Sequence, residues 1–425
     1  MPPAPPAGQR GHGNFVWNDD RERLAVRWTG EFRLSDDERD ISWVEQGATV
    51  TISDGWVFTD RVELRGLAGG QVARTFFRSG VARPFDADAQ AFLNASLQKM
   101  IRSGMFATER VTRLLQKGGV DAVLAEVERL RTDSNYVKRV YYSALLAQAG
   151  LTTAQLTRVL ERVTTDMTSD HERAVLLLQV LGARALVEDQ RVLVARAAAR
   201  LNSDHEQRRV LEAATDIPTL SPQLVSAALD AVQTVNSAHE RSQVLRAIAR
   251  KGGVTAQTSE QFMAAVVAMA SAHEQRQVLA VVAGQPGLSS SVITAPVLAA
   301  TGKMSSAHEK SQLLLELITK DAITDSTAAS FFAAVNSITS SYERGRVLEA
   351  LVARPSVSDG LVAGVLESAK GVTSSHERAR LLLRLLQAHT LTGATRTLFI
   401  EAAEGISSPS ERNQVLAALV LAERR

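Results

Sequence analysis

The residues best able to do chemistry in this chain are histidines that recur beside glutamate at a constant spacing. Six of the 8 histidines hold the same position in a repeated phrase, Ser-x-His-Glu: His171, His205, His239, His273, His308 and His376. Histidine ligands of one metal ion converge to about 2.0–2.1 Å from it. Equivalent residues of stacked repeats lie about 8–10 Å apart. The spacing therefore disfavours a metal site, and we expect the rings mainly to pack at repeat junctions.

A pH-sensitive role is the alternative for the same six histidines. The phrase predicts that each ring lies near a helix N-terminus, where the helix dipole disfavours a positive charge. The rings would then stay neutral at neutral pH, and acid would loosen several junctions together. Tyr342 takes the same position in one copy and Ser410 in another. The tyrosine favours packing of a flat polar ring over a ligand role.

Serine and glutamate mark the start of every copy of the phrase. The serines recur about every 34 residues, a length typical of helical-hairpin repeats, and glutamate always stands at the third position after them. A serine N-cap with glutamate at the third helical position is the capping box, so each phrase predicts a helix start. The defining pairs are Ser169 with Glu172, Ser203 with Glu206, Ser237 with Glu240, Ser271 with Glu274, Ser306 with Glu309, Ser340 with Glu343, Ser374 with Glu377, and Ser408 with Glu411.

Aliphatic pairs seven and eight residues after each serine, such as Val244 and Leu245, predict one apolar stripe per helix. A second helix fits the rest of each unit, as in 221–235 and 259–270. A hairpin of this size cannot bury its own stripe, so the hairpins must stack. We therefore predict a right-handed HEAT-like α-solenoid over 134–425, with eight regular repeats and a degenerate one beginning at Ser134. The tetratricopeptide signature of the same length is absent.

The region before the repeats has a different composition. All four tryptophans lie at or before Trp56, and period-two alternation broken by glycine runs through 14–85. These features predict a small antiparallel β-domain over 14–85. The proline-rich segment 1–13 reads as a flexible linker, and 86–133 as a helical junction with degenerate first repeats. The fold class is α+β multidomain.

Composition removes several classes of protein. The chain has 425 residues and no cysteine, which excludes disulfides, thiolate metal sites and a thiol nucleophile. Its 48 basic and 46 acidic residues give a net charge of +2, which disfavours nucleic acid as the partner. No segment is apolar enough for membrane insertion, and none resembles a secretory signal. Met1 followed at once by linker composition leaves open whether the chain is a fragment of a longer parent.

A ladder of basic residues four positions after the serines is the candidate partner-binding surface. Forked donors in a row suit carboxylates or phosphates of an extended partner. The alternative is a solvated helix edge, in which each glutamate pairs with a residue one turn on. The candidate residues are Arg173, Arg241, Lys310, Arg344, Arg378 and Arg412.

The repeats and three segments before them resemble the extracytoplasmic tails of BlaR/MecR-type membrane metallopeptidases. The three segments are GEFRLSDDERDI (30–41), ARPFDADAQAFL (82–93) and KGGVDAVLAEVERLR (117–131). The His-Glu-x-x-His helix of that peptidase family is absent, so peptidase activity is not implied. The resemblance implies a bacterial accessory or sensing module on the periplasmic side of the cell envelope, with a cytoplasmic location still open.

No nucleotide-binding loop, nucleophile elbow or paired-carboxylate motif occurs in the sequence. We therefore expect a non-enzymatic binding scaffold without a cofactor, which holds a protein or peptide along the solenoid. Two alternatives remain open: a helical-repeat protein that binds nucleic acid, and an accessory or sensor fragment of a larger metallopeptidase-like protein. Oligomeric state and the identity of the partner do not follow from the sequence.

Overall fold

The computed structural model describes residues 8–9, 11–18, 23–54, 60–130, 134–148, 150–182, 186–285, 291–391 and 393–423. The chain divides into two compact units, residues 1–190 and 191–425. A small antiparallel β region comes first and helices follow it, as the sequence predicts. Most of the predicted linker 1–13 lies outside the described residues, although Gly8–Gln9 pairs with β4 as a short strand.

The β region of the first unit contains two antiparallel sheets. A three-stranded sheet has the order β1-β4-β5, and a six-stranded sheet has the order β2-β3-β6-β7-β8-β9. The strands are β1 (Gly8–Gln9), β2 (Gly13–Asn18), β3 (Arg23–Trp28), β4 (Phe32–Leu34), β5 (Ile41–Val44), β6 (Thr49–Asp54), β7 (Asp60–Gly66), β8 (Val72–Arg78) and β9 (Val81–Arg83).

Alternation of apolar and polar residues explains which face of the larger sheet is buried. Leu24 and Val26 of β3 are fully buried, as are Val50 and Ile52 of β6, while the residues between them are more exposed. This period-two pattern is the one expected for a sheet with one face against a core. The last residue of β7, Gly66, has to be glycine because an added Cβ would lie 2.0 Å from the carbonyl oxygen of Glu45.

The hydrophobic core of the first unit runs from the sheets into the first helices. It extends without interruption from Leu24 through Leu93 and Val123 to Leu176. The predicted boundaries at residues 85 and 133 therefore cut through one continuous core. The helices concerned are α1 (Ala87–Arg102), α2 (Ala107–Arg129), α3 (Asn135–Leu146), α4 (Thr153–Asp166) and α5 (Asp170–Gly182). Gly119 has a φ of +64° and, with Gly118, kinks α2.

The division between the units falls within α6 (Glu188–Ala198). The helices of the second unit then alternate between the starts predicted by the Ser-x-His-Glu phrase and their hairpin partners. They are α7 (Asp204–Thr215), α8 (Pro222–Val232), α9 (Ala238–Arg250), α10 (Ser259–Val267), α11 (Ala272–Ala283), α12 (Ser291–Lys303), α13 (Ala307–Thr319), α14 (Ala328–Asn336), α15 (Ser341–Val352), α16 (Asp359–Ala369), α17 (Ser375–Ala388), α18 (Gly393–Glu404) and α19 (Pro409–Ala422).

Helices of the second unit pack on the helix two positions along as well as on their neighbours. The odd-numbered helices from α7 to α19 each contact the next odd one, and the even-numbered helices from α8 to α18 do the same. We call these sets the odd row and the even row. Both aliphatic residues of most predicted pairs, such as Val244 and Leu245, are fully buried. Among the helices described, none is long and apolar enough to cross a membrane.

A buried charge network joins the β region to the helices within the first unit. The Arg110 side chain of α2 is only 4% exposed and lies between two carboxylates. Its Nη2 is 2.7 Å from Glu126 Oε1 and 2.9 Å from Glu38 Oε2, and Nη1 donates to the Tyr141 hydroxyl. Glu38, in the β4–β5 turn with a φ of +59°, also accepts from Arg113. The turn is thereby fixed against α2.

Charge pairing controls the titration of this network. Burial alone would raise the pKa of Glu126, but hydrogen bonds from Arg129 and Arg110, with their positive charges, outweigh it and lower that pKa below 4.5. A carboxyl with a lowered pKa stabilises the folded state above its unfolded pKa, and that stability is lost as the pH falls through the lowered value. The network is therefore fully effective at neutral pH.

We expect Glu38→Gln to lower the free energy of unfolding by about 3 kcal/mol, because it leaves Arg110 with one buried counter-charge instead of two. Urea titration followed by tryptophan fluorescence measures this change, since all four tryptophans lie within the sequence range 14–85 predicted as the β-domain. Glu63→Gln is the matched control, because Glu63 forms an exposed ion pair with Arg61 and should cost less than about 1 kcal/mol. Equal losses for the two variants would contradict the role of the network.

Candidate functional site

Each phrase begins a helix as predicted, but only half of the predicted capping box forms. The serine oxygen accepts from the glutamate amide, at 3.3 Å for Ser237 and Glu240 and at similar distances in the other regular repeats. The prediction that glutamate reaches back to the N-cap amide is wrong for Glu240, Glu274, Glu309, Glu343, Glu377 and Glu411, whose helices show only the serine half of the box. At four junctions a residue of the preceding repeat accepts from the N-cap amide instead, as Asp204 Oδ2 does from the Ser237 amide at 2.8 Å.

The glutamate side chain instead crosses to the preceding helix of the odd row. Glu274 Oε1 lies 3.3 Å from His239 Nδ1, and Glu274 Oε2 accepts from the Ser242 hydroxyl. We call this arrangement, in which one carboxylate receives two side chains from the preceding repeat, the glutamate clamp. It forms at four consecutive junctions: Glu240 with His205 and Arg208, Glu274 with His239 and Ser242, Glu309 with His273 and Arg276, and Glu343 with His308 and Ser311.

The second donor of each clamp stands five residues after the capping serine. It alternates between arginine and serine, and both types reach the same carboxylate oxygen. Arg276 Nε is 2.5 Å from Glu309 Oε2, and Ser311 Oγ is 2.5 Å from Glu343 Oε2. The sequence shows these donors only as a variable position, so the spacing of the phrase does not reveal them. Their shared role becomes visible when consecutive repeats are packed.

The junction between α15 and α17 lacks the clamp. Tyr342 replaces histidine there and Gly345 replaces the second donor. The Glu377 Oε2 is buried and accepts no hydrogen bond from the residues described, although Arg380 Nη2 lies 2.7 Å away as an ion pair. At the following junction, His376 Nδ1 is 3.5 Å from Glu411 Oε1. At these two C-terminal junctions the glutamate therefore lacks the second donor that each of the four clamps has.

At Glu274, Glu309 and Glu343 the clamp lowers the pKa of the carboxyl group. Burial acts in the opposite direction and raises the pKa of Glu274, Glu309 and Glu343. Hydrogen bonds from the serine or arginine donor and from histidine outweigh burial, so that each pKa falls below the ordinary value of 4.5. These three glutamates are therefore ionised at neutral pH, as a carboxylate that accepts two donors should be.

The histidine rings have one fixed edge and one exposed edge. Their side chains are between 54% and 73% exposed in the second unit, although Nδ1 faces a glutamate. With Nδ1–H assigned as donor to the carboxylate, Nε2 is an acceptor that points away from the junction. Gln277 Nε2 lies 2.6 Å from His273 Nε2, which fits that tautomer. Our pH hypothesis considered only the helix dipole, whereas a carboxylate faces these rings and would partner a positive charge.

In two repeats a tyrosine occupies the position that histidine has in the others, and its exposure is similar to that of the histidines. Tyr342 is 52% exposed and Tyr136 is 56% exposed. Sequence reasoning overlooked Tyr136, although it stands two residues after Ser134, where the regular repeats have histidine. The position therefore carries an exposed planar ring with a polar edge in both units. We call the exposed rings of the odd row in the second unit the ring row: His205, His239, His273, His308, Tyr342 and His376.

The predicted partner-binding ladder is engaged inside the fold. Arg241, Arg344 and Arg378 use Nε and Nη2 to donate to carbonyls at or just beyond the end of the preceding even helix, as in the 3.0 Å bond from Arg241 Nε to Val235 O. Burial lowers the pKa of these three guanidinium groups. The remaining members also bind backbone carbonyls: Arg173 binds Thr164, Lys310 binds Ser337 and Arg412 binds Ile406. We therefore do not include the ladder in a binding surface.

The residues six positions after the serine fit the alternative of a solvated helix edge, in which each glutamate pairs with a residue one turn on. Arg209, Arg346 and Arg380 pair with the glutamate three positions earlier, at 2.7, 3.0 and 2.7 Å. Where glutamine stands at this position, as in Gln243 and Gln277, it bonds to the histidine of its own helix. These side chains therefore flank the ring row and supply N–H donors beside it.

Within the described part of the chain, no three histidine, aspartate or glutamate side chains come together as a metal site. A comparison of the chain with known protein families and with curated proteins finds no match. The candidate site is therefore defined by geometry alone: exposed rings, fixed by clamped carboxylates and flanked by amide and guanidinium donors.

We expect Gly345→Ser to stabilise the chain, because an added Cβ would lie 3.5 Å from Glu377 Oε2 and the hydroxyl would supply the missing donor. Gly345→Ala is the control for helix propensity and should gain about 0.5–1 kcal/mol. The serine should exceed alanine by about 0.5–1 kcal/mol, as a hydrogen bond to a charged group outweighs its lower propensity. Urea titration followed by helical circular dichroism measures both, and the excess should disappear in Glu377→Gln.

Glu309→Gln tests the clamp through its pH dependence. Because the pKa of Glu309 is lowered, its contribution is complete above pH 4.5 and is lost as the pH falls through the lowered value. We expect the variant to be less stable than the unaltered chain by about 1–3 kcal/mol at neutral pH and by much less near pH 2. Glu260→Gln, at an exposed position of α10, should change stability little at either pH. A constant deficit for Glu309→Gln would contradict the clamp.

Proposed function

We propose that this chain is a non-enzymatic binding scaffold and that a protein or peptide partner lies along the ring row. In this proposal the 34-residue hairpins of the second unit form a right-handed HEAT-like α-solenoid. The contacts of each helix with the helix two positions along support it. The β region of the first unit would serve as a second recognition or anchoring element.

The proposal depends on one observation: the rings of the ring row are exposed to solvent and are also held in place by contacts within the fold. An exposed aromatic ring ordinarily loses rotamer freedom when a partner binds, and that ordering opposes binding. Here, contacts of histidine Nδ1 with the carboxylate of the next repeat hold the rings before any partner arrives. Flat, preorganised rings with a polar edge are suited to protein surfaces, where tyrosine and histidine combine apolar contact with hydrogen bonding.

Electrostatics favour a protein or peptide over nucleic acid. Nucleic-acid binding depends on lysine and arginine that are free to meet phosphates. Along the ring row, Arg208 and Arg276 contact clamp carboxylates, and Arg241 and Arg344 bind backbone carbonyls. The carboxylates beside the rings would also repel a phosphate backbone. The nucleic-acid alternative therefore receives no support from these contacts.

The resemblance to extracytoplasmic tails of membrane metallopeptidases suggests a setting for the scaffold. We propose a bacterial accessory or sensing role in the cell envelope. One of the segments behind the resemblance, 30–41, contains Glu38, whose ion pairs with Arg110 and Arg113 fix the β region to the helices. A β region fixed to the first repeats fits a module that relates a bound partner to another part of an assembly.

Site-specific photocrosslinking tests the proposed surface. We expect benzoylphenylalanine at position 342, in the ring row, to crosslink a partner in the native source, because Tyr342 already exposes a ring there. The matched control is the same residue at position 333, which is exposed on the even row. The triple variant His239→Ala, His273→Ala and His308→Ala should abolish the crosslink from position 342. Equal crosslinks from positions 342 and 333, or a crosslink that survives the triple variant, would reject this surface.

A further inference from the structure

The ring row presents one flat ring per repeat, and the period of the row limits what can lie along it. Consecutive helices of the odd row are packed against each other, and packed helices have axes about 8–10 Å apart. A partner that meets every ring in the same way must repeat its own surface at that distance. The three regular conformations of a peptide differ in this respect.

Of the three regular peptide conformations, only the polyproline II helix repeats its surface at about the distance between packed helices. A polyproline II helix rises about 3.1 Å per residue with three residues per turn, so its surface repeats about every 9.3 Å. A β-strand presents the same face every second residue, about 6.6–6.8 Å apart, and drifts out of register with the rings. An α-helix repeats about every 5.4 Å, which also fails to match.

We infer that the partner segment held by the ring row is a proline-rich polyproline II helix with a proline at every third residue. This inference rests on the proposed function and specifies the chemistry of the partner. The six rings of the row would each meet one turn of such a segment: His205, His239, His273, His308, Tyr342 and His376. Successive prolines would then contact successive rings.

Hydrogen bonding and charge at the ring row fit the same partner. A polyproline II backbone has no internal hydrogen bonds, so its carbonyl oxygens are free acceptors, and its prolines offer no N–H. The side chains that flank the rings have more N–H groups than their contacts within the fold use: Gln243 and Gln277 each contact a histidine through an amide group with two N–H, and Arg346 and Arg380 pair with glutamates through guanidinium groups with five N–H. The clamp carboxylates already receive donors of their own, as Glu274 does from Ser242. The surface thus offers donors to a segment that offers acceptors.

The rings suit proline in shape as well as in spacing. Aromatic faces that pack on proline are the usual way in which polyproline II segments are recognised. The clamp holds histidine by its Nδ1 edge and leaves more than half of each ring exposed. The occupant assigned here is a segment of a partner protein. The chain also carries the triplet Pro-Pro-Ala twice in residues 2–7, outside the described residues, and that segment is a competitor which the experiment must separate.

The experiment measures binding of a fluorescent peptide of five Pro-Pro-Ala triplets to the full chain by anisotropy. We expect the triple variant His239→Ala, His273→Ala and His308→Ala to weaken binding about tenfold or more, since three aromatic contacts are lost. The matched control is His239→Tyr, His273→Tyr and His308→Tyr, which keeps a ring of the type that Tyr342 provides and should bind within about threefold of the unaltered chain. Urea midpoints of both variants establish that they fold.

A second peptide tests the period. A peptide of four Pro-Pro-Ala-Ala units, about the same length as the five triplets, should bind about tenfold more weakly, because its prolines drift out of register with the rings. Equal affinity for the two peptides, equal affinity of the alanine triple variant, or absence of binding would overturn the inference. Deletion of residues 1–7 should leave the affinity unchanged. A gain on deletion would assign the row to the chain's own triplets and would overturn the assignment to a partner.

Failure of this inference is distinguishable from failure of the proposed function. If a partner crosslinks at position 342 but the Pro-Pro-Ala peptide does not compete with it, the scaffold proposal stands and the polyproline II assignment falls. If position 342 crosslinks no partner and the peptide does not bind, both fall. Competition by the triplet peptide and not by the four-residue peptide supports both.

Discussion

Consecutive repeats of the second unit depend on a carboxylate that one repeat provides and the preceding repeat satisfies. Apolar pairs such as Val244 and Leu245 are fully buried, but hydrophobic contact has little directionality and permits neighbouring helices to slide. A partly buried carboxylate is stable only where donors meet its oxygens. The contacts of Glu274 with His239 and Ser242 therefore set the register of α9 against α11. The same constraint recurs at Glu240, Glu309 and Glu343.

The same contacts determine what the surface can offer. A chain with 48 basic and 46 acidic residues could display strong charge, yet many of these groups satisfy one another or the ends of helices. Arg276 contacts a carboxylate, and Arg378 caps the carbonyls of Lys370 and Val372. Flat rings and amides remain on the odd row. A surface of this kind distinguishes partners by shape and hydrogen bonding more than by net charge.

Spacing within one repeat made the helix starts predictable, because a serine cap and its glutamate amide are close together on one chain segment. The partner of the glutamate side chain lies 32 to 36 residues away, as Ser242 and Glu274 do, and only packing brings it close. The arginine ladder illustrates the same limit. Arg241 reads as a free donor in sequence, whereas Val235 and Gln233 occupy it in the structure. Alternation predicted the buried faces of β3 and β6, but the ion pairs of Glu38 with α2 had no signal in sequence.

The clamp also has a consequence for how the number of repeats in such a chain increases during evolution. Each regular unit carries an acceptor, its glutamate, for the unit before it, and four of the eight carry both a histidine and a second donor for the unit after it. A gene duplication that copies one whole unit therefore creates a matched pair at the new junction without any further change. A duplication of half a unit would leave a carboxylate without donors inside the stack. The near-constant spacing of the capping serines fits expansion by whole units, and the loss of donors at Gly345 shows that a single junction tolerates drift once its neighbours hold the register.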